Sequence, residues 1–143
     1  MISDTQDNDK APRTCIRVLL ADDQPNVLET ACSLLSDEFE IVAAVGNGQE
    51  AVDAVQRFVP DILVLDITMP ILNGFEVARR LATAGSTTRI VMLTVYEDNA
   101  FVSAAFSAGA RGYVPKRTMS VDLIPAIRAA AEGRTFISSA IRL

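Results

Sequence analysis

The sequence predicts an α/β fold built as a doubly wound parallel sheet with helices on both faces. Three observations predict it. Short apolar runs alternate with amphipathic helical stretches five times along the 143 residues. The runs are continuously apolar, as strands buried on both faces are. Several end on a polar residue where a strand would leave the sheet. Five such units in a chain of this length fit one domain with strand order 2-1-3-4-5.

Each element has its own signal. "CIRVLLADD" is an apolar run stopped by acids, the first strand. In "PNVLETACSLLSDEF", Val27, Ala31, Leu34 and Leu35 share one face of a helix, and Pro25 suits its first turn. "EIVAAV" is the second strand, and "QEAVDAVQRF" the second helix, with Ala51, Val52, Val55 and Phe58 inward. "DILVLD" is the third strand and "GFEVARRLATA" the third helix. "RIVMLTV" and "DNAFVSAAFSAGA" form the fourth pair. "GYVPK" is a short fifth strand, which Pro115 marks as an edge strand, and "VDLIPAIRAAAEG" is the fifth helix. Phe101 and Phe106 lie five apart on the fourth helix, so the expectation is that both cannot face the core and one is exposed. Residues 1–14 read as a flexible polar tail, 15–133 as the domain, and 134–143 as an extension or the start of a linker.

Composition narrows the function classes. Thirteen basic residues stand against eighteen acidic ones, net −5, unlike the basic footprint of a nucleic-acid-binding domain. The chain has no histidine, which excludes histidine catalysis and histidine metal ligation. Cys15 and Cys32 have no metal-type spacing and read as two reduced thiols. The polar start resembles no signal peptide, and no apolar run approaches the ~18 residues of a membrane span. A cytoplasmic protein that does not engage a membrane is the default expectation.

In open α/β sheets, ligands bind beyond the carboxyl ends of the strands, where the strand order switches. The first run ends on Asp22 and Asp23, the third on Asp66, the fourth on Thr94 and the fifth on Lys116. Singly, each has an ordinary reading: a loop acid or helix cap, a strand threonine, a solvated lysine. Together they put three carboxylates, a hydroxyl and an ammonium around one pocket. Crowded carboxylates repel unless a cation joins them, and hard oxygen ligands on an open face suit Mg²⁺. Aspartate can also act as a nucleophile toward phosphorus, with Lys116 and Mg²⁺ offsetting the charge of the incoming group.

At this point the motifs "LLADDQP", "ILVLDITMPILNGFE", "IVMLTVYED" and "GARGYVPK" resemble those of a response-regulator receiver domain. The resemblance runs from Ile16 to about Gly133 and implies a CheY-like, flavodoxin-like (βα)5 three-layer sandwich. It implies Asp66 as phosphoacceptor, with Lys116 and Thr94 binding the phosphoryl group. It implies Asp23, Asp66 and the Thr68 backbone carbonyl as Mg²⁺ ligands, with Asp22 assisting through water. Thr94 and Tyr113 match the switch pair. "GARGYVPK" and "AIRAAAEGRTFIS" are similar to the NarL/FixJ class. The expected phosphodonor is a sensor histidine kinase. The expected output face is the fourth helix, fifth strand and fifth helix, acting through a homodimer or an effector that controls transcription. DNA would be reached only through an effector domain beyond Leu143, so the expectation is a receiver standing alone or one cut from such a protein. No turnover of an external substrate is expected. Two features depart from the common pattern. Arg117 follows Lys116 in place of a proline, so the loop there is expected to lack a cis peptide; Val95 follows Thr94 and is bulkier than usual.

Two rivals remain in view. "VGNGQEA" reads G-x-G-x-x-A from Gly46, and Asp66 lies 20 residues beyond it, as in a dinucleotide-binding fold. That reading leaves Asp22, Asp23, Thr94 and Lys116 unused; the plain alternative is a tight turn into the second helix. A haloacid-dehalogenase-type phosphatase resembles D-x-D after its nucleophilic strand, but Thr68 stands where the second acid is needed.

Overall fold

The computed structural model describes residues 15–143; the tail read at 1–14 lies outside the described residues. The elements run β1 (Arg17–Ala21), α1 (Pro25–Leu35), β2 (Glu40–Val45), α2 (Gly48–Phe58), β3 (Ile62–Leu65), α3 (Gly74–Thr83), β4 (Arg89–Thr94), α4 (Asn99–Ser107), β5 (Gly112–Pro115), a single 3-10 turn (Lys116–Thr118), α5 (Met119–Ala131) and β6 (Phe136–Ile137). All strand pairs are parallel and the order is β2-β1-β3-β4-β5-β6.

Side chains alternate across the strands, so the sheet divides the core in two. Leu19, Leu63, Leu65, Met92 and Tyr113 pack against α2, α3 and α4. Val18, Leu20, Ile62, Val64, Leu93 and Val114 pack against α1 and α5. β3 sits at the centre and none of its four residues is more than 2% exposed. Burying each such side chain stabilises the fold by roughly 1.5–3 kcal/mol, which is what anchors the strand that carries Asp66.

Three sequence expectations need adjustment. β5 is not the sheet edge along its first half, because β6 pairs with it at Gly112↔Phe136 and Tyr113↔Ile137. Pro115 lies past that pairing, so its missing N–H disrupts no ladder. Phe136 and Ile137, beyond Gly133, therefore join the sheet, and Ile141 is buried in the same core cluster as Tyr113. Lastly, Phe101 and Phe106 are both half-buried against the core. They stand about 140° apart on α4. The buried face is centred on Val102 and Ala105, and one ring closes over each flank. No peptide bond among the described residues is cis, the one after Lys116 included.

The loop from Asp66 to Gly74 is held from both sides. Asn73 and Glu76 form a reciprocal cap at the start of α3, each side chain accepting from the other's backbone N–H. The Gly74 N–H donates to the Ile67 carbonyl at 2.7 Å. The Gly48 N–H, at the start of α2, donates to the Pro70 carbonyl at 3.2 Å.

Candidate functional site

β1 and β3 are neighbours in the sheet, and their carboxyl ends carry the acids. The Asp66 N–H donates to the Ala21 carbonyl at 3.0 Å, so Asp66 starts its loop directly beside Asp22. Asp22 and Asp66 each follow a residue of the α1/α5 face by two positions, and both end up buried, at 3% and 5% exposure. Asp23 is exposed, and one carboxylate oxygen from each of Asp22, Asp23 and Asp66 lies within 4.8 Å of the other two.

Lys116 leaves the end of β5 and reaches across β4 to this cluster. Its Nζ lies 2.8 Å from Asp22 Oδ2 and 3.1 Å from Asp66 Oδ2. It also donates to Gln24 Oε1 at 2.9 Å. The Asp22 contact is an ion pair without a directed hydrogen bond, because buried Asp22 Oδ2 has no hydrogen-bond partner among the described residues. The other oxygen, Asp22 Oδ1, accepts from the Gln24 N–H at 2.8 Å. A buried carboxylate oxygen without a directed donor, beside two more carboxylates and an open side at Asp23, is a donor set that fits a hard divalent cation with water on its remaining positions.

These contacts set the ionisation. Burial raises the pKa of Asp66, and the charge of Asp22 raises it further; the Lys116 ammonium and the Thr68 N–H oppose this without cancelling it. Burial alone would lower the pKa of Lys116, but Asp22 and Asp66 outweigh it and hold the ammonium protonated above the usual range. Because the folded pKa of Asp66 exceeds the unfolded value, the native state holds the extra proton between the two. Its contribution to stability is full below the unfolded pKa and is lost as pH rises through the folded one. Asp66→Asn is therefore expected to raise Tm by a few degrees at pH 7 in EDTA, where about 1 kcal/mol corresponds to roughly 3–5 °C. The gain should shrink below about pH 4, where the wild-type carboxyl is protonated in both states. A variant less stable than wild type at pH 7 would mean that attraction to Lys116 outweighs burial.

Thr94, at the end of β4, is fully buried; its Oγ1 accepts one long hydrogen bond from the Tyr96 N–H at 3.4 Å. Thr68 follows Asp66 by two residues, and its hydroxyl donates to the Tyr96 hydroxyl at 3.1 Å. Tyr113 is fully buried and donates its hydroxyl to the Tyr96 carbonyl at 2.8 Å. Burial, with the charges of Asp98 and Glu97, pushes the Tyr113 phenol far up, so it acts as a donor. The Tyr96 ring stacks on Phe101 at 4.4 Å, and Arg117 pairs with Glu97 through two bonds of 2.7 and 2.8 Å. The loop between β4 and α4 is thus pinned to the loops after β3 and β5. Gln24, Tyr96 and the Glu97–Arg117 pair were not singled out from sequence. Only Gln24 carried a signal, its place directly after the acid pair.

The glycine pair that suggested a dinucleotide site is used in packing. Asn47 accepts from the Glu50 N–H and caps α2, and a side chain at Gly48 would collide with Leu72. Asp66 follows β3, and β1 lies between β3 and β2, the strand leading into the glycine turn, so the acid and the turn are not on neighbouring strands as a dinucleotide site requires.

A family profile described as the response regulator receiver domain matches residues 18–128. The chain belongs to this family. Among curated relatives, this receiver is 37% identical over 111 residues to the transcriptional regulatory protein LnrK of Bacillus subtilis, covering 76% of this chain and 50% of the relative. It is 30% identical over 132 residues to the transcriptional regulatory protein DegU of Brevibacillus brevis, covering 91% of this chain and 56% of the relative. The receiver spans about half the length of the curated relatives it matches. Among solved structures, a LuxR-family two-component response regulator from Aurantimonas sp. SI85-9A1 superposes with a TM-score of 0.85 at 34% identity, over 90% of this chain and 93% of that one. The signal receiver domain of the putative response regulator NarL from Mycobacterium tuberculosis superposes at 0.82 with 27% identity, over 85% of this chain and 100% of that one. The NarL-type flavour and the flavodoxin-like order of the first five strands are both borne out. Among the described residues, no helix is long and apolar enough to cross a membrane.

Proposed function

We propose that this receiver accepts a phosphoryl group on Asp66 from a phosphohistidine of a partner histidine kinase. The observation that carries the reading is the Lys116 ammonium held 3.1 Å from Asp66 and 2.8 Å from Asp22, at the edge of a three-carboxylate cluster. A carboxylate oxygen of Asp66 attacks phosphorus, the P–N bond to the imidazole breaks, and the imidazole leaves with the bonding pair and takes a proton from solvent. The product is an acyl phosphate on Asp66. Lys116 then pairs with a phosphoryl oxygen instead of the bare carboxylate, which spreads its charge over the group being transferred. Thr94 gives up a single long hydrogen bond to turn its hydroxyl toward another phosphoryl oxygen, so the exchange costs little.

Asp23, Asp66 and the Thr68 backbone carbonyl would hold Mg²⁺, with Asp22 acting through water. When bound, Mg²⁺ supplies positive charge beside the acids and the phosphoryl oxygens. The residues around the cluster keep their own tasks: Gln24 and Asp22 orient Lys116, and the Thr68 N–H steadies Asp66.

Thr94 and Tyr113 form the switch. Once Thr94 turns to the phosphoryl group, it no longer holds the Tyr96 N–H. The Tyr96 carbonyl is where the Tyr113 hydroxyl is tied, so α4, β5 and α5 feel the change. That face is the surface for homodimerisation or effector contact. The chain acts in the cytoplasm as the input half of a transcription regulator that meets DNA only through a separate effector domain, and it turns over no external substrate.

Acetyl phosphate with Mg²⁺ should yield an acid-labile phosphoprotein, and Asp66→Asn should abolish the label. A variant that labels as well as wild type would end the assignment.

A further inference from the structure

Ser138 is 1% exposed although its neighbours Ile137 and Ser139 are both exposed. A serine buried just past the last strand must have all its polar groups answered. They are. Its N–H donates to the Tyr113 carbonyl at 3.1 Å, and its carbonyl accepts from the Ile141 N–H at 3.1 Å. Its Oγ accepts from the Ala140 N–H at 3.0 Å and donates to Asp122 Oδ2 at 2.5 Å. The same Asp122 oxygen accepts from Thr118 Oγ1 at 2.8 Å. Thr118 closes the 3-10 turn that begins at Lys116, and the Met119 N–H donates back to the Lys116 carbonyl.

One carboxylate oxygen therefore joins the backbone turn that carries Lys116 to the segment that follows α5. An acid in the first turn of a helix often only complements the helix dipole. That role explains Thr118 as a local partner, but not why a hydroxyl 16 residues further on is buried onto the same oxygen. We infer that Asp122 is a positioning residue that couples the Lys116 turn to the docking of residues 134–143. The inference rests on the phosphoacceptor reading for its functional consequence, though not for the tie itself. Reciprocity fixes the sign at both ends: if the docked segment keeps Lys116 in place, occupancy at Asp66 must in turn hold the segment more tightly.

The test is amide hydrogen exchange on the full chain, with wild type, Ser138→Ala, Thr118→Val and Thr118→Ser, each alone and with Mg²⁺ and beryllofluoride. Without ligand, amides of residues 116–119 should exchange about fivefold faster in Ser138→Ala than in wild type, while those of β1 and β3 stay protected. Thr118→Val should expose residues 134–143 to the same degree, and Thr118→Ser, which keeps the hydroxyl, should restore wild-type protection. With beryllofluoride, exchange across 134–143 should slow in wild type and stay fast in Ser138→Ala. Unchanged exchange at 116–119 in Ser138→Ala, or a Thr118→Val variant matching wild type, would overturn the tie whether or not beryllofluoride binds. Beryllofluoride that binds without slowing exchange at 134–143 would overturn the coupling. Failure of wild type to bind it would count against the phosphoacceptor reading instead, and the ligand-free comparison would still decide the tie.

Discussion

Lys116→Met should reduce labelling by acetyl phosphate about 10²-fold or more at saturating Mg²⁺. The ammonium is the one cationic side chain in direct contact with both Asp22 and Asp66 among the described residues. Removing one preorganised charge from a site where negative charge is handled commonly costs 10²–10³ in rate. Methionine keeps the length and apolar stem, so the loss reports charge and not packing. The same substitution acts on the resting protein. Without the ammonium, Asp22 and Asp66 repel with nothing between them, and the pKa of Asp66 should climb further. Breaking a fully buried pair costs roughly 3–5 kcal/mol; the Lys116 side chain retains 12% exposure, so about 2–3 kcal/mol is expected at pH 7 in EDTA. Added Mg²⁺ should recover much of that loss, since binding to the native state alone contributes RT ln(1 + [L]/Kd). Thermal melts with and without Mg²⁺ separate the two effects. A variant as stable as wild type in EDTA would show that Lys116 does not neutralise the cluster.

Gly48→Ala should lower stability by about 3 kcal/mol, near the upper end of overpacking costs. For a domain of this size that is roughly a 10 °C fall in Tm. A methyl at Gly48 would sit 2.1 Å from the Leu72 carbonyl oxygen and 2.5 Å from Leu72 Cβ. The obstacle is mostly backbone, so relief requires moving the loop between Asp66 and Gly74. Labelling should fall along with stability, because that loop carries Thr68. Gly46→Ala is the control. Nothing lies within 4 Å of a methyl there, so its effect should stay within about 0.5 kcal/mol. A nucleotide-binding turn would need both glycines for close approach to a pyrophosphate. Equal effects of the two alanines, with loss of NADH binding, would revive the dinucleotide reading.

Much of the site was legible because strand ends in a doubly wound sheet are predictable places. Asp22, Asp66 and Lys116 each follow an apolar run, and strand order alone brings those ends together. Tyr96 was not legible. Its hydroxyl meets Thr68 and its carbonyl meets Tyr113, contacts across 28 and 17 residues that no local pattern encodes. β6 was missed because two residues are too short to show a period of two. Phe101 and Phe106 were misjudged because helical spacing gives the direction of a side chain but not its reach. Large rings on both flanks of a narrow buried stripe can each fold back over it.

By itself, the sequence determined the alternation of strands and helices, the parallel sheet and the polar residue at the end of each strand. Those follow from periodicity and from the cost of burying uncapped backbone, both local properties. Only the tertiary structure decided that the Lys116 ammonium spans Asp22 and Asp66, that Gly48 must be bare against Leu72, and that one oxygen of Asp122 holds both Thr118 and Ser138. These depend on distances between segments far apart in the chain, which the packing of the helices on the sheet sets and the order of residues does not state.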